Sequence, residues 1–147
     1  MRPVYQSDSL KRVSLVVLKE ALAICRLEPH QGIPEWVVDS PFYAVTRTQD
    51  ELSVVCPEKR VPRGIKLDQG WRCLKVQGPI SLSETGVLAS LAGPLAKAGI
   101  SVFAVSTFDT DYLLIKKERL VQATKVLRQA GYCFRHGFRR KKAHLKS

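Results

Sequence analysis

Two short stretches of this chain carry side chains whose types and spacing suit the capture of a small charged molecule. The first is Gly78-Pro79-Ile80-Ser81-Leu82-Ser83-Glu84-Thr85-Gly86, which leads into an Ala/Leu/Val-rich segment of helical character. At a helix start several backbone N–H groups have no intrahelical acceptor and the dipole favours negative charge, so a ligand carboxylate suits the place. Gly78 and Gly86 let the backbone approach closely, and Ser81 or Ser83 can donate a hydroxyl. The same residues also read as a plain N-cap with Ser83 as the capping residue. The second stretch is Ser106-Thr107-Phe108-Asp109-Thr110-Asp111, two carboxylates and three hydroxyls directly after an apolar run. Asp109 and Asp111 suit an α-ammonium group or a cationic side chain through charge-assisted hydrogen bonds, with Asp109 at the apex the first choice. Asp and Thr are equally the ordinary residues of a polar hairpin turn.

Other chemistry finds little support. His30, His136 and His144 stand apart, with no Ser/His/Asp arrangement and no metal-ligand spacing. The loop at 78–86 is neither G-x-G-x-x-G nor G-x-x-x-x-G-K-[ST], so no nucleotide cofactor is implied. The expectation is a non-catalytic protein without a cofactor. The four cysteines, Cys25, Cys56, Cys73 and Cys133, are widely separated with no C-x-x-C pair, and each lies in an apolar, strand-like segment. Buried free thiols and a reducing, cytoplasmic home are expected. The apolar run at 14–18 is broken by Lys19-Glu20, too short to span a membrane. Trp36 and Trp71 read as packing residues.

The elements that must position these residues follow from periodicity. Residues 71–78 alternate as a strand, with Leu74 and Val76 on one face. Residues 84–98 read as a helix closed by Gly99, with a kink or break expected near Ala92-Gly93-Pro94 because proline removes a backbone donor. Residues 100–106 and 111–115 flank a turn at 108–110. Residues 118–130 run at helical spacing to Gly131, and 132–134 form a last apolar piece. This is βαββαβ, an α+β ferredoxin-like unit with two helices on one face of an antiparallel sheet, the other face and the edges left for partners. Sliding the sequence by sixty residues aligns two hairpins: Tyr43 meets Phe103, Ala44 meets Ala104, Val45 meets Val105 and Thr46 meets Ser106. Beyond the turns Glu51 meets Asp111, Leu52 meets Tyr112, Val54 meets Leu114 and Val55 meets Ile115. The first copy is abbreviated. Residues 29–41 hold three prolines and room only for a helical turn around 34–38, with Pro34 at its first position. Residues 57–70 are too rich in proline and glycine for a helix. The expected organisation is an abbreviated module at 13–69, a complete one at 70–134 and a tail at 135–147, with strands at 14–18 and 21–27 widening the second module's sheet.

The run from Trp71 to Leu120, and above all Gly99-Ile100-Ser101-Val102-Phe103-Ala104-Val105-Ser106-Thr107-Phe108-Asp109-Thr110-Asp111-Tyr112, resembles the ACT regulatory domain in its CASTOR-type branch of small tandem-ACT proteins. Tyr43-Ala44-Val45-Thr46-Arg47-Thr48 and Glu51-Leu52-Ser53-Val54-Val55-Cys56-Pro57-Glu58 are similar to the N-terminal half of that branch. The resemblance implies a regulatory domain that binds a free amino acid between paired ACT units, within one chain or in a homodimer, with an unidentified protein target. The effector of such pairs lies between a strand-to-helix loop and a strand end of a neighbouring unit. Here that implies Ile80, Ser81, Leu82, Ser83, Thr85 and Gly86 from the loop, and Ser106, Thr107, Asp109 and Asp111 from the turn. The positions matched in the first copy are Arg47, Thr48 and Gln49, which lack the carboxylates and argue against two equivalent sites.

The formal net charge of +11 suggests nucleic acid until it is located: six of those charges fall in the last thirteen residues. Arg135, Arg139, Arg140, Lys141 and Lys142 are the candidate contacts for an alternative reading, a nucleic-acid- or ribosome-associated module working through that tail. The aromatic signature of sheet-borne RNA readers is missing, and a solvated end is the simpler account of the tail.

Overall fold

The structure, a computed structural model, describes residues 13–77 and 86–135. In chain order the described elements are β1 (Ser14–Val17), β2 (Leu22–Leu27), α1 (Glu35–Val38), β3 (Ala44–Arg47) and β4 (Leu52–Pro57). A 3₁₀ turn (Glu58–Arg60) then precedes β5 (Lys66–Gln77), α2 (Val87–Lys97), β6 (Phe103–Ser106) and β7 (Asp111–Lys116). A second 3₁₀ turn (Lys117–Arg119) leads to α3 (Leu120–Gln129) and β8 (Cys133–Arg135). The chain forms two compact units: Glu20–Arg72, and the described residues of Met1–Lys19 with Cys73–Ser147.

In the first unit the strand order is β3-β4-β2-β5, with every neighbour antiparallel. Chain order and strand order together are those of a ferredoxin-like unit whose helices have shrunk. Prolines at 29, 34 and 41 leave α1 four residues, and Pro34 is its N-cap in extended geometry rather than its first helical residue. The 3₁₀ turn Glu58–Arg60 stands where a second helix would run. The fourth strand is residues 66–72 of β5, a stretch that the sequence presents as the end of a connector with the strand starting only at Trp71. Polar, exposed Lys66, Asp68 and Gln69 hide it, since backbone pairing to β2 rather than burial makes it a strand. Where Leu22 opposes Trp71 and Ile24 opposes Asp68, β5 carries one extra residue. Gly70, with φ of 82°, absorbs this bulge, and its N–H donates to Glu58 Oε1 at 2.8 Å. Ala23, Cys25, Leu27, Val37, Leu52, Val54 and Cys56 make this unit's core, with Trp36, Val45, Val61 and Ile65 packed on it.

In the second unit the strand order is β6-β7-β5-β1-β8. Residues 73–77 of β5, α2, β6, β7, α3 and β8 give the expected βαββαβ sequence. One strand from outside that module enters it: β1 lies between β5 and β8, antiparallel to the former and parallel to the latter. The sheet is therefore mixed, with one parallel pairing. Both helices end alike. Gly99 and Gly131 take positive φ (72° and 103°), while Ile100 N–H reaches back to Leu95 C=O at 2.9 Å and Tyr132 N–H to Leu127 C=O at 3.0 Å. Each is a Schellman stop whose apolar pair, Ile100 with Leu95 and Tyr132 with Leu127, belongs to the core. That core joins Val87, Leu91 and Leu95 of α2 and Ala123 and Leu127 of α3 to Leu15, Leu74, Val76, Leu113 and Ile115 of the sheet. Cys73 and Leu114 alternate onto the sheet's other face and are 0% exposed, so that face is not open there.

Three expectations are corrected in this unit. Helix α2 starts at Val87 rather than 84, and its N-cap is Gly86 in the left-handed region (φ 84°), not Ser83. The helix continues through Pro94, so that of the expected kink or break, the break is absent. Cys133 is exposed, unlike the buried Cys25, Cys56 and Cys73, because it sits on β8 at the sheet edge.

Candidate functional site

The β6–β7 turn is built by one side chain. Thr107 N–H and Thr107 Oγ1 both donate to Thr110 C=O, at 2.8 and 2.9 Å, and Thr107 Oγ1 accepts from Thr110 N–H at 3.2 Å. The hydroxyl of Thr107 is thus committed to the turn and is a positioning group rather than a free ligand donor. Thr110, 6% exposed, donates from Oγ1 to Val76 C=O at 2.6 Å. This bond fastens the turn to the carboxyl end of β5, one residue before that strand stops at Gln77. The chain returns at Gly86 to start α2, whose N-cap makes no side-chain hydrogen bond. The N-terminal end of this eleven-residue helix carries the positive end of its dipole, which favours an anion.

Of the turn residues singled out in the sequence, Ser106 and Asp109 are exposed and Asp111 is half-buried. Ser106 and Asp111 oppose one another as the closing pair of the hairpin. The Tyr112 hydroxyl is pushed up from its ordinary value by burial first, then by the Cys73 thiol and the Asp109 charge. Phe108 at the apex is 79% exposed. Gly86 is placed at the α2 start; Ile80, Ser81, Leu82, Ser83 and Thr85 lie outside the described residues, as do Arg139, Arg140, Lys141 and Lys142. Arg135 is in β8 and donates from Nε to Ser14 Oγ at 3.1 Å, which ties it to β1.

The first unit repeats this turn. Thr48 N–H donates to Glu51 C=O at 2.9 Å, and Thr48 Oγ1 accepts from the Asp50 and Glu51 amides at 3.1 Å. Arg47 and Leu52 close the hairpin as Ser106 and Asp111 do in the second unit. The two hairpins thus superpose at an offset of fifty-nine residues, not the sixty that apolar matching favours. The 3₁₀ turns after them, Glu58–Arg60 and Lys117–Arg119, keep the same offset. With this register Thr-x-Asp recurs, Thr48-Gln49-Asp50 against Thr107-Phe108-Asp109, so Asp50 is the counterpart of Asp109. The carboxylate is not missing from the first copy; the sixty-residue register misplaced it. Arg47 is the counterpart of Ser106. Its guanidinium donates to Pro29 C=O and, at 2.8 Å, to Gln31 C=O, both in the loop leading from β2 to α1. Arg26 adds a bond from Nη2 to Asp50 C=O at 2.8 Å. The repeated Thr-x-Asp was the available signal for this arrangement; nothing local marks Arg47 or Thr110.

A family model described as the ACT domain matches residues 66–129, and a model of an N-terminal domain matches residues 20–64. The chain carries an ACT domain. It is similar to the human protein named cytosolic arginine sensor for mTORC1 subunit 1, 32% identical over 100 residues that cover 61% of this chain and 30% of that protein. The chain thus spans less than a third of the length of that curated relative. Among solved structures, a protein from Agrobacterium tumefaciens is 40% identical with a TM-score of 0.80, covering 84% of this chain and 92% of its own. The ligand-free regulatory subunit of aspartate kinase from Thermus thermophilus, 14% identical with a TM-score of 0.54, covers 78% of this chain and 96% of its own. That last likeness is of fold alone. Among the described residues no helix is long and apolar enough to cross a membrane.

Proposed function

We propose that this chain is a non-catalytic regulatory ACT protein that binds a free amino acid or related small metabolite at the β6–β7 turn end of its second unit. The observation that carries this reading is the Thr110–Val76 hydrogen bond. It holds Asp109 and Asp111 at the end of β5, the end from which the chain leads to the start of α2. A carboxylate suits the helix start and an ammonium group suits the turn, and a free amino acid carries both. The ACT match and the similarity to a protein named as an arginine sensor support the same reading.

Assembly is the proposed output. Among the described residues, strands β6 and β8 each pair on one side only, leaving edges through which a second copy can add to the sheet. A ligand shared by two copies stabilises the homodimer by mass action, which links binding to the choice of a protein target. The cytosolic naming of the relative supports a cytoplasmic site of action.

The test is a thermal-shift screen of the twenty amino acids followed by calorimetry. Saturable binding of at least one is expected. For a cationic ligand, Asp109→Asn lowers affinity roughly ten- to hundredfold through loss of a charge-assisted contact. Asp50→Asn, the matching change in the first unit, leaves it unaltered. An empty screen across all amino acids and close analogues removes the reading.

A further inference from the structure

The core of the first unit holds a pair of thiols that the ligand reading does not use. In the antiparallel pairing of β2 with β4, Ala23 opposes Cys56 and Cys25 opposes Val54. Opposed residues share a face and alternate residues return to it, so Cys25 and Cys56 lie on one face as diagonal neighbours. Both belong to the cluster beneath Val37 of α1, at 1% and 0% exposure. Each thiol is the leading influence on the other's proton affinity.

We propose that Cys25 and Cys56 are a reversible oxidation site, a buried dithiol that hydrogen peroxide converts to a cross-strand disulfide between β2 and β4. The roles follow from the surroundings. Cys25 S–H donates to the Cys56 sulfur, and the Arg60 charge at the end of the adjoining 3₁₀ turn adds to this, so the Cys56 thiol is pulled below its ordinary range despite burial. Cys25 is pushed well above its range by the same hydrogen bond and by burial. Cys56 is therefore the nucleophile and Cys25 the resolving thiol. In the first step the Cys56 thiolate attacks one oxygen of the peroxide, the O–O bond breaks, and hydroxide leaves and is protonated to water. Cys56 is then a sulfenic acid. In the second, the Cys25 sulfur attacks the Cys56 sulfur, the S–O bond breaks, and hydroxide departs as water with the Cys25 proton. Two thiols lose two electrons and one peroxide becomes two waters.

Burial selects the oxidant. A thiol at 0–1% exposure admits a molecule of the size of water far more readily than a peptide disulfide, and the lid is thin because α1 is only four residues long. Cys133, exposed on β8, is a built-in control for bulky oxidants. A bond made between diagonal rather than directly opposed residues departs from the preferred disulfide geometry and is readily reduced, the behaviour of a switch rather than a structural cross-link.

The experiment treats the full, pre-reduced chain with hydrogen peroxide or with glutathione disulfide and maps the products by peptide mass spectrometry. Peroxide is expected to link Cys25 to Cys56, with loss of two hydrogens and recovery by dithiothreitol. Glutathione disulfide is expected to modify Cys133 and leave the pair reduced. In Cys25→Ser oxidation stops on Cys56, read as a gain of oxygen on its peptide with no cross-link; in Cys56→Ser the Cys25 thiol survives peroxide. The wild-type map decides the matter even where a variant fails to fold. Oxidation confined to Cys133, or a Cys25–Cys56 link that forms only in denaturant, overturns the proposal. Neither outcome bears on amino-acid binding, which the thermal-shift screen tests by itself.

Discussion

The β3–β4 turn and the β6–β7 turn use the same threonine to close four residues, and they differ in what is placed beside that threonine. In the first unit Arg47 spans from the hairpin to the β2–α1 loop and satisfies the carbonyls of Pro29 and Gln31 from within the chain. In the second unit the same position is Ser106, too short for any such span. The first unit's turn is closed by its own guanidinium, and the second unit's turn carries no guanidinium at the matching position. The helices follow the same division. The first unit keeps four residues of α1 under proline control, and the second keeps eleven residues in α2.

Thiols sharpen the comparison most. The first unit's Cys25 and Cys56 partner one another, whereas Cys73 of the second unit is pushed up from 9.0 to about 12 by burial alone. A thiol held protonated in the folded state binds its proton more tightly than in the unfolded state. Its contribution is fully present below pH 9 and is lost as pH rises towards 12. The loss is on the order of 4 kcal/mol across that window, at 1.36 kcal/mol per unit. Denaturant melts of wild type and Cys73→Ala between neutral and strongly alkaline pH check this. The variant starts less stable and declines less steeply. Parallel curves for the two proteins would show that burial of Cys73 does not control alkaline stability.

Next in size is the tether of the second turn. Thr110→Val keeps the shape of a nearly buried side chain but removes the donor to Val76 C=O, and a cost of about 2 kcal/mol is expected. Glu51→Ala, the matching position in the first unit, should stay within about 0.5 kcal/mol because its role in the turn is carried by its backbone. Equal losses for the two variants, read from urea midpoints, would mean that the turns are not differently anchored.

How much of this was legible in the sequence depends on how local the cause is. The hairpins, the αL glycines that stop α2 and α3, and the shortening of α1 by prolines are written in adjacent residues and were found with boundaries off by a residue or a few. The slot of β1 between β5 and β8 has no local mark, because a parallel partner more than a hundred residues away supplies the hydrogen bonds. Residues 66–70 lack the apolar alternation of a strand and become one through pairing with β2. The offset of sixty instead of fifty-nine arose because generic apolar alternation tolerates a slip that turn chemistry does not. At the site, the carboxylates were visible as residue types, while the tether that positions them, Thr110 to Val76, depends on two segments meeting in space.

The smallest expected effect tests the comparison most directly. Arg47→Ser gives the first turn the residue that stands in the second. It removes two charged hydrogen bonds at an exposed site, where water can replace part of what is lost, so about 1 kcal/mol of stability is expected to go. The local consequence should be clearer than the global one. The β2–α1 loop would then be held by Gln31 N–H to Glu28 C=O at 3.3 Å and by Glu28 N–H to Gln31 Oε1 at 3.2 Å. Amide exchange at Gln31 and Gly32 should therefore quicken while exchange in β2 and β4 stays slow, since local opening does not require the core to part. The opposite swap, Ser106→Arg, places a guanidinium beside Asp109 and Asp111 and should weaken binding of a cationic ligand without loss of stability. If Arg47→Ser leaves loop exchange unchanged, the guanidinium is a surface decoration, and the first unit is no more closed than the second.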